Sequence, residues 1–397
     1  MHLNFIKNTV LLFVLTLLSC RNYSGSQAQE PIVVGAQQTE NYLPILKNKN
    51  IGIVANQTSV IFKEDGYTHL VDSLLSLNIA IKKVFAPEHG FRGTADAGEY
   101  VKDGVDEGSG VPIISLYGKN KKPDAKTLND LDVIIFDVQD VGARFYTFLS
   151  TLHFMMEASA DLGITILVLD RPNPNGHYVD GPVLDITYSS FVGMHPVPIV
   201  HGMTVGEYAK MINGEGWLNE GIKCDLKVIS VKNYTHQSVY ELPIKPSPNL
   251  PNAKAINLYP SLCLFEGTNV SMGRGTELQF QVFGSPFLDH SDYNFEFSPT
   301  PNVGAKYPVH ENKICKGLNL QNHNYLDSMN LKWLIDAYQN SENKLDFFNP
   351  FFTKLAGQKL LQEQIETGLT ADEIRESWKV DLEHYKTLRV PYLLYPL

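Results

Sequence analysis

Residues 85–93 combine an acid, an imidazole and a guanidinium in one short segment: Glu88, His89 and Arg92, together with two glycines. The apolar run Ile79–Phe85, which leads into this segment, is predicted to be a buried strand. Ligands of open α/β sheets bind at the carboxyl ends of the strands, so the segment is a candidate site. A polar turn whose glycines supply positive φ angles is the alternative interpretation.

A second cluster of functional groups extends from residue 265 to residue 277. It contains two carboxylates, three glycines and several polar or cationic side chains: Glu266, Asn269, Ser271, Arg274 and Glu277. A flexible loop or a hairpin with glycine turns would also explain this composition. The density of functional groups favours a binding loop.

Together, the two clusters could supply the groups needed for glycoside hydrolysis. If the C-terminal part of the chain folds over the strand ends, Glu88 would face Glu266 or Glu277 across a cleft. Glycosidases use two carboxyl groups that flank the scissile bond, one as the acid and the other as base or nucleophile. Retention and inversion at the anomeric carbon both remain open, because they depend on the distance between the carboxyl groups.

Polar residues also follow two other predicted strands, where the evidence for a site is weaker. Asp137, Asp140 and Arg144 follow one strand, and a loop in which Asp140 caps a helix is an equally valid interpretation. Asp170 and Asn173 follow the other, where turn residues are expected in any case, although both could meet sugar hydroxyls. The isolated His195 and His201 are interpreted as structural histidines.

Several classes of site are disfavoured by missing motifs. No set of histidines, cysteines and carboxylates has the spacing of a zinc site, and no metal or other cofactor is expected. The loop after the first predicted strand lacks GxGxxG and the chain has no GxxxxGK[ST], which argues against nucleotide binding. GxSxG is also absent, which argues against the simplest α/β-hydrolase.

The elements that must position these residues follow a repeated β-α pattern. Near-continuous apolar runs predict strands that are buried on both faces: Ile51–Ala55, Ile79–Phe85, Pro112–Leu116, Leu131–Phe136 and Ile164–Leu169. Apolar residues at helical spacing predict helices at Val141–Leu162, Val205–Ile212, Asn330–Gln339 and Thr370–His384. The fold class is therefore α/β, with a Rossmann-like parallel sheet followed by a smaller α+β auxiliary domain.

A proline-rich stretch at residues 242–251 indicates a connection between these two parts, since its four prolines exclude a helix or a central strand. We place the catalytic domain at residues 37–259 and the auxiliary domain at residues 260–397.

The N-terminus has the pattern of a targeting segment. Lys7 precedes an apolar run, residues 9–18, that is too short to span a bilayer well and is typical of a signal peptide. Residues 17–20 are similar to a lipobox, in which Cys20 would be lipidated; plain secretion is the alternative. Residues 21–36 would then form a tether. We expect an exported, periplasmic lipoprotein whose lipid is its only contact with the membrane.

The composition of the 397-residue chain is that of an ordinary globular protein, with 43% hydrophobic and 19% charged residues. The net charge is −10, and removal of residues 1–19, whose one charge is Lys7, would leave −11. An acidic surface argues against binding of nucleic acid. Cys224, Cys263 and Cys315 form no metal-binding pattern and are interpreted as mostly buried free thiols, with room for one disulfide.

Five motifs resemble the NamZ family of exo-β-N-acetylmuramidases, and the match runs from about Gln37 to the C-terminus: Asn56–Thr58, Pro87–Gly93, Phe136–Tyr146, Leu169–Gly176 and Phe265–Thr276. The resemblance implies a Rossmann-like domain, an auxiliary domain and an active site in the cleft between them. It also implies release of N-acetylmuramic acid from the non-reducing ends of peptidoglycan fragments, with MurNAc-GlcNAc saccharides as the substrates.

The resemblance points to Glu88 as the main catalytic residue and favours Glu266 over Glu277 as the second. The lactyl carboxylate of N-acetylmuramic acid could be held by a guanidinium, for which Arg274 is the first candidate and Arg92 the second. The full set of predicted substrate-binding residues is Asn56, Gln57, His89, Arg92, Gln139, Arg144, Asp170, Asn173, Ser271, Arg274 and Glu277.

Two other functions stay open at this point. A non-catalytic lipoprotein that binds muropeptides would use the same cleft. An amidase or esterase is less favoured, because metal-ligand spacing and a nucleophile elbow are both missing from the sequence.

Overall fold

The computed structural model describes residues 30–93, 99, 103–118, 120–288 and 291–397. The predicted signal peptide, the lipobox cysteine and residues 21–29 of the predicted tether lie outside the described residues. Residues 33–397 form one compact unit. Within the described ranges, every helix is too short or too polar to cross a membrane.

The strands of the described residues are, in chain order, β1 (Ile51–Ala55), β2 (Val60–Lys63), β3 (Gly66–His69), β4 (Ile81–Ala86), β5 (Gly104–Val105), β6 (Pro112–Ser115), β7 (Val133–Asp137), β8 (Thr165–Leu169), β9 (Leu226–Ile229), β10 (Val282–Ser285), β11 (Phe295–Phe297) and β12 (Cys315–Asn319). The larger sheet has the order β5-β6-β4-β1-β7-β8-β9. Its neighbours pair in parallel, except for β5 with β6. A smaller antiparallel sheet has the order β10-β12-β11, and β2 pairs with β3 as a hairpin.

The five predicted strands are confirmed as β1, β4, β6, β7 and β8, each within two residues of its predicted ends. The central strands β1 and β7 are buried along their whole length, as expected for parallel strands covered on both faces. The sequence analysis missed β9, because this edge strand is only partly buried and its residues form no continuous apolar run.

The helices of the described residues are α1 (Thr39–Leu46), α2 (Leu70–Ser76), α3 (Ala125–Leu128), α4 (Phe148–Ala160), α5 (Val205–Gly214), α6 (Ala253–Leu262), α7 (Lys332–Gln339), α8 (Phe352–Ala356), α9 (Leu360–Glu366) and α10 (Ala371–Arg389). The helices predicted after residues 204, 329 and 369 are confirmed as α5, α7 and α10, each starting within two residues of its predicted position. Capping boxes at Thr204 and Thr370 fix where α5 and α10 begin.

The helix predicted over Val141–Leu162 is wrong in its first seven residues, because α4 begins only at Phe148. The preceding residues form a loop in which Gly142 has a φ of +77°, a conformation that suits glycine. A Cβ at this position would overlap the side-chain amide of Asn173. Phe145 in the loop is nevertheless buried, and this burial produced the apolar spacing of a helix.

The larger sheet lies between two apolar clusters. The cluster on one face includes Tyr42, Leu70 and Leu74 from α1 and α2. The other cluster includes α4 and α5 and extends to Tyr385 in α10, so the C-terminal part packs on this face of the sheet. The predicted boundary at residues 259–260 lies inside α6, and the division into two domains stays a prediction. Cys224, Cys263 and Cys315 are buried free thiols, and none of them forms a disulfide.

Candidate active site

A pocket of about 920 Å³ lies beside the loops that follow β4 and β6. Further lining residues come from the loop just before α4, from residues 247–280 and from residues 351–355. The pocket brings together five of the predicted site residues from both sequence clusters: Glu88, His89, Glu266, Ser271 and Arg274. Its volume is near the upper end of the range for small-molecule sites, about 300–1,000 Å³.

Glu88 lies two residues beyond the end of β4, and its position is fixed by contacts on both sides of the pocket. Thr147, the residue before α4, donates a hydrogen bond of 2.7 Å from Oγ1 to Oε2 of Glu88. The next residue, His89, is buried and has a φ of +71°. This conformation is uncommon for residues other than glycine, although histidine adopts it more often than most, and such residues are enriched at functional sites.

The phenol of Tyr117 links the two predicted catalytic carboxylates. Tyr117 follows β6, and its hydroxyl forms a hydrogen bond with Glu88, while Glu266 is close enough to act on it electrostatically. Burial and then these two carboxylates raise the pKa of Tyr117. The hydroxyl therefore stays protonated at neutral pH and can donate its hydrogen bond.

Glu266 forms an ion pair with another residue of its own cluster. Nη2 of Arg274 donates to Oε1 of Glu266 at 2.6 Å, and the two side chains are 21% and 25% exposed. Burial disfavours the charge on Arg274, but Glu266 outweighs this effect and the pKa of Arg274 is raised. A carboxylate in such a pair accepts hydrogen bonds and has no proton to give.

Of three other predicted residues in the two clusters, one lines the pocket and two lie outside its lining. Ser271 is buried in the pocket wall, where its backbone pairs with Gly284. Arg92 does not line the pocket; its guanidinium binds both carboxylate oxygens of Asp106, at 3.1 and 2.8 Å. Glu277 is exposed and also lies outside the lining.

Arg144, also predicted to bind substrate, is buried and holds backbone segments together. It donates from Nη1 to the carbonyls of Pro182 and Val197, and from Nη2 to those of Leu355 and Ala356, at 2.8–2.9 Å. Burial lowers the pKa of Arg144 to about 9. Because all four acceptors belong to the protein backbone, this geometry gives Arg144 a structural role.

Polar residues at the ends of β7 and β8 bind each other. Arg171 donates to both oxygens of the buried Asp137, at 2.6 and 2.9 Å. Asp170 is buried and accepts a hydrogen bond of 2.6 Å from the hydroxyl of Tyr395. Burial raises the pKa of Asp170 to about 6, although its hydrogen bonds act in the opposite direction. The amide of Asn173 donates to the carbonyl of Met203 at 2.9 Å.

The side chains of the three predicted amide residues on the same sheet edge also form hydrogen bonds within the protein. Oδ1 of Asn56 accepts from the backbone and hydroxyl of Thr58, at 2.9 and 2.6 Å. The amide nitrogens of Gln57 and Gln139 each donate to two backbone carbonyls, at 2.8–3.1 Å. Like Asp170 and Asn173, these residues do not line the pocket.

The two isolated histidines are buried within the fold, as predicted. His195 contacts His153 and the hydroxyl of Tyr208, at 3.0 and 3.1 Å. His201 lies 3.8 Å from a carboxylate oxygen of Asp140. Within the described part of the chain, no group of three or more His, Cys, Asp or Glu side chains could hold a metal ion.

Sequence reasoning missed several pocket residues, including Tyr117, Thr147, Lys121 and Lys354. A signal existed for two of them. Tyr117 directly follows a predicted strand, and Thr147 directly follows one of the five motifs, but neither was distinguished from its neighbours by residue type. Lys121 and Lys354 have no comparable signal, because surface lysines are common.

Comparison with known proteins provides independent information about the chain. Residues 51–254 match the family description "Exo-beta-N-acetylmuramidase NamZ, N-terminal", and residues 257–395 match "Exo-beta-N-acetylmuramidase NamZ, C-terminal". The chain is 34% identical to the peptidoglycan β-N-acetylmuramidase NamZ of Bacillus subtilis strain 168, over 98% of both chains.

Two crystal structures from Bacteroides fragilis NCTC 9343, both described as DUF1343 family proteins, have the same fold. The first is 50% identical, with a TM-score of 0.84, and the second is 26% identical, with a TM-score of 0.78. In both cases the alignment covers 92% of this chain and 99% of the other.

Proposed function

Because the chain belongs to the NamZ family of exo-β-N-acetylmuramidases, and is therefore a glycoside hydrolase that acts on peptidoglycan, we propose that it releases N-acetylmuramic acid from the non-reducing ends of peptidoglycan fragments. We further propose that the reaction takes place in the pocket that contains Glu88 and Glu266 and uses these carboxyl groups as acid and base.

One observation carries this assignment. Glu88 and Glu266 are 178 positions apart in the sequence, counted from 88 to 266, yet both line one pocket and both act on the same phenol, Tyr117. Glycosidases need two carboxyl groups on opposite sides of the scissile bond, with different protonation states. Glu88 and Glu266 share one cavity, in which the hydroxyl of Tyr117 contacts Glu88 and lies within electrostatic range of Glu266. This arrangement is what the requirement for two carboxyl groups predicts.

The surroundings of the two carboxyl groups suggest how the roles divide. Glu266 is held by Arg274 at 2.6 Å and suits the role that requires a negative charge, either as nucleophile or as base toward water. The acid that protonates the leaving oxygen is then Glu88, whose hydrogen bonds to Thr147 and Tyr117 hold the carboxyl group in place. The anomer released first, observed by NMR, separates the retaining from the inverting version.

The assay uses protein from residue 21 onward with p-nitrophenyl β-N-acetylmuramide, and with the corresponding N-acetylglucosaminide as control. We expect release of nitrophenol from the muramide. Glu88→Gln should lower kcat by about 10²–10⁴-fold, the usual contribution of general acid–base catalysis. The matched control is Glu64→Gln, an exposed position in the hairpin turn between β2 and β3.

Wild-type turnover by Glu88→Gln would reject the catalytic assignment. Tight binding of muropeptides by wild-type protein without turnover would instead favour a cell-envelope binding protein.

We also propose that the protein is exported and anchored by a lipid at Cys20, on the basis of the lipobox-like residues 17–20. Detergent phase partitioning tests this proposal. The wild type should enter the detergent phase, whereas Cys20→Ala should stay in the aqueous phase; equal partitioning of the two proteins would contradict it.

A further inference from the structure

Among the described residues that line the pocket, cationic side chains outnumber carboxylates. Its acidic lining residues are Glu88, Glu99 and Glu266, and its lysine and arginine residues are Lys121, Arg274, Lys306 and Lys354. Two cations are paired within the lining: Arg274 with Glu266 at 2.6 Å and Lys306 with Glu99 at 2.5 Å. Among the described residues, Lys121 and Lys354 have no carboxylate within ion-pair distance.

Lys121 and Lys354 project from one continuous wall. Nζ of Lys121 lies 4.1 Å from the centre of the Phe191 ring. Arg144 joins the segment of Phe191 to that of Lys354: it donates to the carbonyls of Leu355 and Ala356 and packs closely against Gly193. The backbone bond from Asp185 to Gly357, at 2.9 Å, reinforces this junction.

This wall adjoins both candidate catalytic carboxyl groups. The ring of Phe191 is centred 6.0 Å from that of Tyr117, which contacts Glu88. On the other side, α8 carries Lys354, and Asn349 just before it donates to the backbone carbonyls of Glu266 and Gly267, at 3.3 and 2.9 Å. An anion bound by the lysines would therefore lie in the same pocket as both carboxyl groups.

We propose that Lys121 and Lys354 form an anion subsite that binds the lactyl carboxylate of N-acetylmuramic acid and so selects this sugar over N-acetylglucosamine. This inference rests on the proposed function. The protein has a net charge of −10, which disfavours an anionic substrate unless positive charge is concentrated at the site. The lactyl carboxylate supplies the counter-charge that the two lysines lack.

In this proposal, Lys121 and Lys354 bind the lactyl carboxylate, a role for which the sequence favours Arg274 and Arg92. The charge of Arg274 is already matched by Glu266, and Arg92 is bound to Asp106 outside the pocket. Lysine is compatible with this role, because its ammonium group is a point charge with three rotatable donors and can follow a flexible lactyl group.

The test compares wild type with Lys121→Ala, Lys354→Ala and the double variant. Three p-nitrophenyl substrates are used: the β-N-acetylmuramide, the same sugar with its lactyl group converted to a methyl amide, and the β-N-acetylglucosaminide. We expect each variant to lose about 10- to 100-fold in kcat/KM on the charged muramide, the usual effect of a lost charge-assisted hydrogen bond. Activity on the neutral amide should change less than about threefold.

Lys359→Ala is the matched control, because this lysine lies five residues beyond Lys354, is 63% exposed and does not line the pocket. Variants that retain wild-type kcat/KM on the charged muramide would overturn the subsite while leaving the proposed function intact. Equal losses on all three substrates would also overturn it, because they would indicate a general effect on the pocket. Lack of turnover by the wild type would reject the proposed function itself.

Discussion

Nη2 of Arg274 lies 2.6 Å from Oε1 of Glu266, so the two residues form an ion pair inside the pocket wall. They are eight positions apart, with Glu266 in a short 3-10 helix, Cys263–Gly267, and Arg274 in the segment that follows it. Arg274 also lies 5.2 Å from the centre of the Phe280 ring, which supports its guanidinium from another side. The carboxylate that we propose as nucleophile or base is therefore held at a fixed position before any substrate arrives.

A double-mutant cycle tests this pairing. Glu266→Gln should lower kcat by about 10²-fold or more, and Arg274→Met should lower it less. Because each change already breaks the pair, the double variant should be little worse than Glu266→Gln alone, with a coupling energy of about 1–3 kcal/mol. Additive losses, or a Glu266→Gln protein with more than half of wild-type kcat, would contradict the assigned role.

The hydroxyl of Thr147 should contribute to catalysis through Glu88. Thr147→Val preserves the shape and removes the donor of the 2.7 Å bond to Glu88. We expect kcat/KM to fall about 2- to 10-fold, because the carboxyl group loses one hydrogen bond that holds it in place.

Thr151→Val is the control for this variant, since Thr151 lies one turn further along α4 and its hydroxyl donates to the carbonyl of Thr147. If both valine variants have the same kcat and the same KM, Thr147 has no specific role in positioning Glu88.

Tyr395→Phe should reduce stability and leave catalysis unchanged. The hydroxyl of Tyr395 contacts the buried Asp170 at 2.6 Å and accepts a hydrogen bond from the backbone of Val231 at 2.9 Å. Its removal leaves both buried partners one hydrogen bond short, which typically costs about 1–3 kcal/mol. Urea unfolding should show the loss, while kcat/KM on the muramide stays within about twofold of wild type. A large loss of activity without a change in stability would place Asp170 in the active site.

His195 should make stability dependent on pH. Burial, followed by the neighbouring His153, lowers the pKa of His195 well below its ordinary value. In the unfolded chain the imidazole takes up a proton below about pH 6.5, whereas in the folded protein it stays neutral. The unfolded state then binds more protons, so the contribution of His195 is fully present above pH 6.5 and is lost as the pH falls.

His195→Gln lacks this linkage and should be less stable than wild type at pH 7.5, because the contacts with His153 and Tyr208 are lost. As the pH falls from 6.5 to 5.5, the free energy of unfolding of the wild type should approach that of His195→Gln. The difference between the two proteins should narrow by up to about 1.4 kcal/mol. A gap that stays constant or widens over this range would show that His195 is already protonated in the folded protein.

The architecture could be predicted largely from the sequence, because buried parallel strands such as β1 and β7 consist of near-continuous apolar runs. The same logic correctly indicated that polar residues collect at the carboxyl edge of the sheet. It could not indicate which of them face a ligand. Asp137 and Arg171, for example, follow adjacent strands and form an ion pair with each other, which only the packing of the two loops determines.

Pocket residues could be singled out from the sequence where several functional groups occur in one segment, as around Glu88 and Glu266. They could not be singled out where a residue of ordinary type is brought in from elsewhere, as for Tyr117 and Lys354. Arg144 shows the opposite case: the sequence predicts that it binds the ligand, whereas its guanidinium binds four backbone carbonyls in the structure.

The contact between Tyr395 and Asp170 joins residues that are 225 positions apart, and it is not isolated. The backbone of Leu394 donates to Glu207 at 2.8 Å, and the carbonyl of Pro396 accepts from His236 at 2.9 Å. During synthesis, the larger sheet emerges from the ribosome long before the residues that bind its polar edge. Until those residues are made, buried carboxylates such as Asp170 lack their hydrogen-bond partners and the chain stays partly folded. Partly folded chains of this kind fold slowly and are prone to aggregate. Completion of the fold around Asp170 therefore depends on residues that are synthesised long after the strand that precedes it.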